Sequence, residues 1–412
     1  MKNLSWKYVQ STLLTALLLA AAAQAQKVVP PAAAPLDSYN YIAGTQAFGS
    51  NYHFTNDGLL IESANRILEM GSNMIKFALD PSYAKNNYIK DIDPNIGSLK
   101  QLASQRDYKT LFNMPFNNYI IWTYAFSTYN KTFPWHGHMK NETLRAEYQE
   151  MYDLTKYLLT TYNGTGKTFY LGNWEGDWHL NSGAPPAKPN WETDPNPDAP
   201  QGMVDWLMAR QRAIDDAKRN TPHKDVQVWF YVEACFVQKS IKQGRPSVAS
   251  AVIPYVNPDF VSYSSYDSTN PDKDLHHDLP AALDYLQSKL KPKPGLSGKR
   301  VFVGEYGVQA HQFSPKQQEE RMRDVIATAI KWGTPFVLYW QLYDNEMRGK
   351  DPAGFWLIND KNEKQPAYYT YQRYYAAAKQ YVADFENKSK RKPDDVEFQK
   401  WAYKWLTGPQ KY

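Results

Sequence analysis

One cysteine, Cys235, stands in 412 residues, so no disulfide can close within the chain and stability must come from the size of the core. Beyond the N-terminal region the sequence lacks any apolar run long enough to span a bilayer. It lacks a Gly-x-Ser-x-Gly elbow and any clear Ser-His-Asp arrangement, which argues against a serine hydrolase. No glycine-rich phosphate turn follows the first candidate strand, which argues against a dinucleotide-binding sheet. Charge of one sign is also scarce. The net charge is only +5 and the basic residues are scattered, so nucleic acid is not an expected partner.

The first 25 residues do carry a pattern. Lys2 and Lys7 precede a short apolar core built on Leu13, Leu14, Leu17, Leu18, Leu19 and the alanines that follow. Ala23-Gln24-Ala25 then fits a cleavage site, which predicts a signal peptide over 1–25 and a mature chain starting at Gln26. Two of the five net charges would leave with it. The expected destination is secreted or periplasmic, with no membrane association after cleavage. Residues 26–38 read as a Pro/Ala-rich lead-in.

Aromatics are abundant: 13 tryptophans and 31 tyrosines. Flat rings stack on the apolar faces of sugars while Tyr O–H and Trp N–H groups bond hydroxyls, although the same residues also fill large cores.

From residue 39 onward, short β-type runs alternate with helical stretches. Strands are predicted at 41–47, 73–79, 119–126, 168–173, 227–233, 260–266, 301–305 and 336–341. Helices are predicted at 58–70, 98–112, 141–162, 202–219, 247–256, 279–290, 315–332 and 366–386. Eight alternations are the count of a (β/α)8 TIM barrel, expected over 39–386 as a single catalytic domain; a doubly wound open sheet is the alternative. The 387–412 segment reads as a helical extension packed on the barrel. A Pro-rich loop at 181–200 follows the fourth strand, with Trp191 as a substrate contact or a surface residue.

Barrel chemistry sits at the C-terminal ends of strands. Two carboxylates there directly follow apolar strands: Glu175 in Asn173-Trp174-Glu175-Gly176-Asp177-Trp178-His179, and Glu305 in Gly304-Glu305-Tyr306-Gly307. Ionised groups seldom occupy such positions without a partner or a task. Paired carboxylates are what glycosidic cleavage needs, one as acid and one at the oxocarbenium-like carbon. Trp174 and Trp178 would desolvate Glu175 and favour its acid form. Asp177 is a second candidate acid, and Glu233 a subsite or supporting carboxylate. Trp340 reads as a sugar platform or core, and Asp344 as a hydroxyl ligand or turn residue. His179 could hydrogen-bond substrate.

Gly-Glu-Tyr-Gly at 304–307, followed by a helix and Tyr-Trp-Gln at 339–341, resembles clan A of the retaining glycoside hydrolases. The resemblance implies a (β/α)8 barrel with Glu175 as acid/base, Glu305 as nucleophile, Trp340 beneath the sugar, and Tyr263 or Tyr266 orienting the nucleophile. It implies an oligosaccharide or polysaccharide partner and no cofactor, with endo action suggested by the aromatics. Many clan members carry Asn immediately before the acid/base. Trp174 holds that place here, and strand alternation would let Asn173 share the orientation of Glu175 as a substrate ligand. Two other readings stay open: a non-catalytic carbohydrate-binding barrel, and a metal-dependent hydrolase on the same fold. His136 and His138, and His276 and His277, lack zinc-motif spacing.

Overall fold

A computed structural model describes residues 36–82, 88–129, 133–184 and 190–409. The expected signal peptide, most of the lead-in and part of the 181–200 loop lie outside the described residues.

Eight parallel strands close into a barrel in sequence order. They are β1 (Ala43–Ala47), β2 (Met74–Leu79), β3 (Asn118–Thr123), β4 (Lys167–Gly172), β5 (Val226–Ala234), β6 (Phe260–Ser264), β7 (Val301–Tyr306) and β8 (Val337–Tyr339). Each falls within or beside its predicted run. Closure comes from β1 pairing β8, Ala43 with Val337 and Thr45 with Tyr339. The open-sheet alternative is thereby excluded.

Helices cover the outside. Leu59–Met70 and Pro315–Trp332 match their predictions. The latter is well specified locally. The Ser314 hydroxyl accepts a bond from the Gln317 backbone N–H, the Gln317 side-chain oxygen accepts one from the Ser314 backbone N–H, and Pro315 sits in the first turn. Gly333 ends it in the left-handed conformation that glycine adopts without strain. Two predictions miss in detail. The 98–112 stretch breaks into Leu99–Ala103 and Arg106–Asn113, and 247–256 into Val248–Ala251 and Ile253–Val256. At the C-terminus, Pro366–Ser389 is followed by Asp395–Thr407, whose Phe398, Ala402 and Leu406 join the shell core. A two-stranded ribbon, β9 (Met347–Arg348) and β10 (Asp351–Pro352), follows β8 at the barrel mouth.

Strand alternation divides the core in two. Outward residues such as Ile75, Tyr119, Phe169, Val232 and Val303 pack under the helices. Inward residues, among them Met74, Ile120, Tyr170, Tyr231, Phe260, Phe302, Phe336 and Leu338, fill the barrel. The barrel is packed through most of its length, and only its C-terminal mouth is left for chemistry.

Candidate active site

At that mouth the inward positions change character. On β2, Lys76 takes the place after Met74 and is fully buried; on β5, Glu233 follows Tyr231; on β6, Ser262 and Ser264 follow Phe260. Lys76 Nζ donates to Glu233 Oε2 at 2.8 Å, to the Gly304 carbonyl at 3.0 Å and to Glu305 Oε1 at 3.3 Å, using all three of its protons. Ser262 donates to the same Glu233 oxygen. The other oxygen, Oε1, accepts the Glu175 backbone N–H at 3.0 Å. Glu233 therefore ties Lys76 and the start of the Glu175 loop to one strand. This crowding dictates two glycines. A Cβ on Gly304 would lie 1.7 Å from Ser262 Oγ, and one on Gly172 would lie 2.4 Å from the Tyr231 ring.

Glu175 and Glu305 meet at Ser264. Its Oγ lies 2.5 Å from Glu175 Oε1 and 3.5 Å from Glu305 Oε2. A shift in the β6–β7 register beside Ser264 sets this residue opposite Glu305. Trp178 Nε1 donates to the second Glu175 oxygen at 2.7 Å. Burial pushes the Glu175 carboxyl up to about 7, against the Ser264 and Trp178 hydrogen bonds, with Glu233 adding to the rise. Glu305 is driven well above the usual carboxylate range, first by burial and then by Glu233 and Glu175, while Lys76 pulls the other way. Lys76 touches Glu305 and not Glu175.

Two adjoining chambers open around Glu175, sharing Trp174, Trp178, Trp340 and Glu346 as walls. The first, about 790 Å³, is lined by Trp122, Tyr124, Phe133, His179 and Trp206 with Asp80 and Asn345. Trp122 Nε1 and Asn345 Oδ1 are buried there with no partner among the described residues. Buried polar groups seldom stay unpaired, so ligand hydroxyls are the natural complement. The second chamber, about 670 Å³, holds Glu305, Ser264, Tyr266, Asp267, Trp191 and a set of amides and cations.

The predicted site residues divide. Glu175, Glu305, Trp174, Trp178, His179, Tyr266 and Trp340 line the chambers. His179 Nε2 meets the Tyr124 hydroxyl at 2.8 Å, and burial lowers its pKa to about 3, so the ring is neutral. Tyr124 Oη accepts the Trp174 N–H at 2.9 Å, leaving its own proton for His179. Trp340 is held by a 3.0 Å bond from its Nε1 to Glu346.

Three residues are placed elsewhere. Asn173 is fully buried, and its amide is bonded to the backbone of Glu233 (3.3 and 3.4 Å) because the residue turns toward β5 and not across the mouth. Tyr263 is an outward position of β6, buried beneath the helices with its hydroxyl on Asp267 and Ser268. Asp344 accepts the Glu346 and Gly354 N–H groups at 3.0 and 2.6 Å, which makes it the brace of the turn behind Trp340. Asp177, the alternative acid, is likewise committed to three backbone amides: Cys235, Phe236 and Val248. Lys76 was legible as a lysine inside the apolar run Met-Ile-Lys-Phe-Ala-Leu, a rare burial that needs a partner. Ser264 carried no such signal. Among the described residues no group of three or more His, Cys, Asp or Glu is placed to hold a metal ion, and no helix is long and apolar enough to cross a membrane.

No protein-family model matches the chain, and no curated protein matches it. Solved structures do match in fold. A GH5_18 variant from Bifidobacterium longum subsp. longum, in complex with Manb1-4GlcNAc, aligns with a TM-score of 0.56 at 11% identity, covering 82% of this chain and 78% of that one. A GH5_18 from Bifidobacterium longum subsp. infantis aligns at 0.53 and 15% identity, covering 81% and 79%. A family 39 glycoside hydrolase from Bacteroides cellulosilyticus WH2 aligns at 0.51 and 13%, covering 82% and 64%. The likeness at these identities is one of fold: the (β/α)8 barrel of these glycoside hydrolases.

Proposed function

We propose that this protein is a retaining O-glycoside hydrolase acting on an extracellular oligo- or polysaccharide, with Glu175 as acid/base and Glu305 as nucleophile. The observation that carries the reading is Ser264 Oγ in contact with both carboxyls, at 2.5 and 3.5 Å. Two oxygens bridged by one atom cannot be further apart than those two lengths laid end to end. Carboxyls sharing one hydroxyl in this way are compatible with the spacing of about 5–5.5 Å used for nucleophilic attack. The crystallised barrel neighbours holding Manb1-4GlcNAc are consistent with a saccharide ligand.

The proton inventory supports the same roles. Three buried carboxyls, Glu175, Glu233 and Glu305, share one cation, so the cluster retains a proton near neutral pH. Burial raises both Glu175 and Glu305, but Lys76 lies against Glu305 and favours its ionised form, so we assign the shared proton to Glu175 on that contact. Glu175 protonates the glycosidic oxygen as Glu305 attacks the anomeric carbon and the C–O bond to the leaving group breaks. Glu175, now ionised, takes a proton from water, which displaces Glu305 and restores both groups. The single Ser264 proton can follow the charge, donated to Glu305 while Glu175 is protonated and to Glu175 once it is ionised. Because the chambers flank Glu175 on two sides, we read the action as endo.

Early-product NMR on a cleaved glycan tests this directly: the anomeric configuration should be retained. Glu305→Gln should lower turnover by roughly three orders of magnitude or more. Inverted product, or undiminished turnover in that variant, would refute the assignment.

A further inference from the structure

The two chambers differ in charge, and the difference bears on substrate. Among the described residues, the first is lined by carboxyls and aromatic rings and by no lysine or arginine. The second adds four cations, Lys239, Lys242, Lys273 and Arg348, among the amides Gln238, Asn270 and Gln309. Three of these cations are anchored from behind. Lys239 pairs with Asp194 at 2.9 Å, Lys242 with Asp278 at 2.8 Å and Lys273 with Asp272 at 2.7 Å, and none of those aspartates lines the chamber. Arg348 on β9 is different. Its Nε donates to Gln309 at 3.2 Å, and its nearest carboxylate, Glu346, lies 3.8 Å away. That 3.8 Å approach is a loose one made by Nη2, and the Arg348 side chain is 45% exposed at the mouth. A guanidinium so placed suits bidentate capture of a carboxylate or sulfate.

We infer that the substrate is an acidic glycan, whose anionic residue occupies the second chamber against Arg348 and the lysine rim while an uncharged ring stacks in the aromatic first chamber. This rests on the hydrolase reading and narrows it. A neutral polysaccharide would leave the exposed Arg348 guanidinium without an anionic ligand, and an anionic residue in the first chamber would face Asp80 with no counter-charge among the described residues of its walls.

The test uses matched pairs: a uronate-bearing oligosaccharide with its carboxyl-reduced counterpart, and a sulfated oligosaccharide with its desulfated one. Binding is measured on Glu305→Gln protein, and hydrolysis on the unaltered chain. One acidic member should bind about tenfold or more tightly than its neutral twin. That preference should shrink severalfold between about 50 and about 500 mM salt, since Lys242, Lys273 and Arg348 are solvent-accessible. The pair showing it identifies carboxylate or sulfate. Arg348→Gln should cut the acidic-to-neutral binding ratio about tenfold, and Arg348→Lys should restore it only in part. Equal or better binding of both neutral members, insensitive to salt, would overturn the inference while hydrolysis of the same glycans kept the enzyme reading intact. Preference for the acidic member without any cleavage would do the reverse.

Discussion

The two ends of the barrel interior solve the same packing problem by opposite means. Below, Tyr170, Phe260 and Phe336 meet edge to face with ring centroids 5.1–5.3 Å apart, and Phe302 packs on Phe336 and Tyr231 at 5.6 Å. Above, at inward positions nearer the mouth, Lys76 on β2, Glu233 on β5 and Ser262 and Ser264 on β6 put charge and hydroxyl where the lower end has rings and Met74. Burying apolar surface is stabilising in itself, whereas burying ion pairs gains little or nothing over a well-packed apolar layer of equal volume. Only the lower end therefore explains why the barrel holds together. The upper end is intelligible as a device for holding one proton and two carboxylates where a substrate can reach them.

Breaking the upper end should give the largest effect. Lys76→Met removes the one cation touching both Glu233 and Glu305. Two buried carboxylates are then left facing each other, and the expected cost is about 3–5 kcal/mol in chemical denaturation. Activity should fall by roughly a hundredfold or more in the molecules that remain folded, because Glu305 then holds its proton. Adding Glu233→Gln to Lys76→Met should recover much of the stability and little of the activity. Comparable recovery of both would contradict the division of labour proposed for the two ends.

At the lower end, Phe302→Ala should also cost about 3–5 kcal/mol, as large-to-small changes in packed cores do. Here kcat and KM of the folded protein at low temperature should stay near the parent values. A selective loss of kcat would mean that the two ends are mechanically coupled.

The lower end was the part the sequence disclosed. Eight runs rich in Val, Ile, Phe and Tyr place the strands because burial on both faces demands apolar residues without interruption. Glu175 and Glu305 stood out because they end such runs. What stayed hidden depends on direction and register. Extending the alternation of β4 past Gly172 points Asn173 at substrate, but the strand has ended there and the residue turns to β5. Tyr263 has the right residue type on the outward face of β6. Ser264, a small common residue, acquires its place only through a shift in β6–β7 pairing that no local pattern encodes.

A smaller effect is expected at Ser264. Its hydroxyl favours the ionised form of whichever carboxyl it meets. Ser264→Ala should therefore lower kcat/KM roughly tenfold and move both limbs of its pH profile to higher pH, and Ser264→Thr should restore them. An unshifted profile would reduce Ser264 to a packing role.

The smallest expected effect separates the two ends by their response to pH. Burial raises Glu175 from its usual 4.5 to about 7. Between those values the folded protein holds a proton that the unfolded chain has released. The stability linked to this proton is fully present below pH 4.5 and is lost as pH rises through about 7. Glu175→Gln cannot titrate, so it escapes the cost of burying a carboxylate at high pH. Its Tm should exceed that of the parent at pH 8, and the margin should shrink steadily toward pH 4. Glu305 is present in both proteins and largely cancels. Phe302→Ala offers the control, since no proton is involved and its Tm deficit should be nearly constant over the same range. A margin for Glu175→Gln as flat as the Phe302→Ala deficit would mean that Glu175 loses its proton near 4.5. It would then be ionised at neutral pH, and its assignment as the acid would fall.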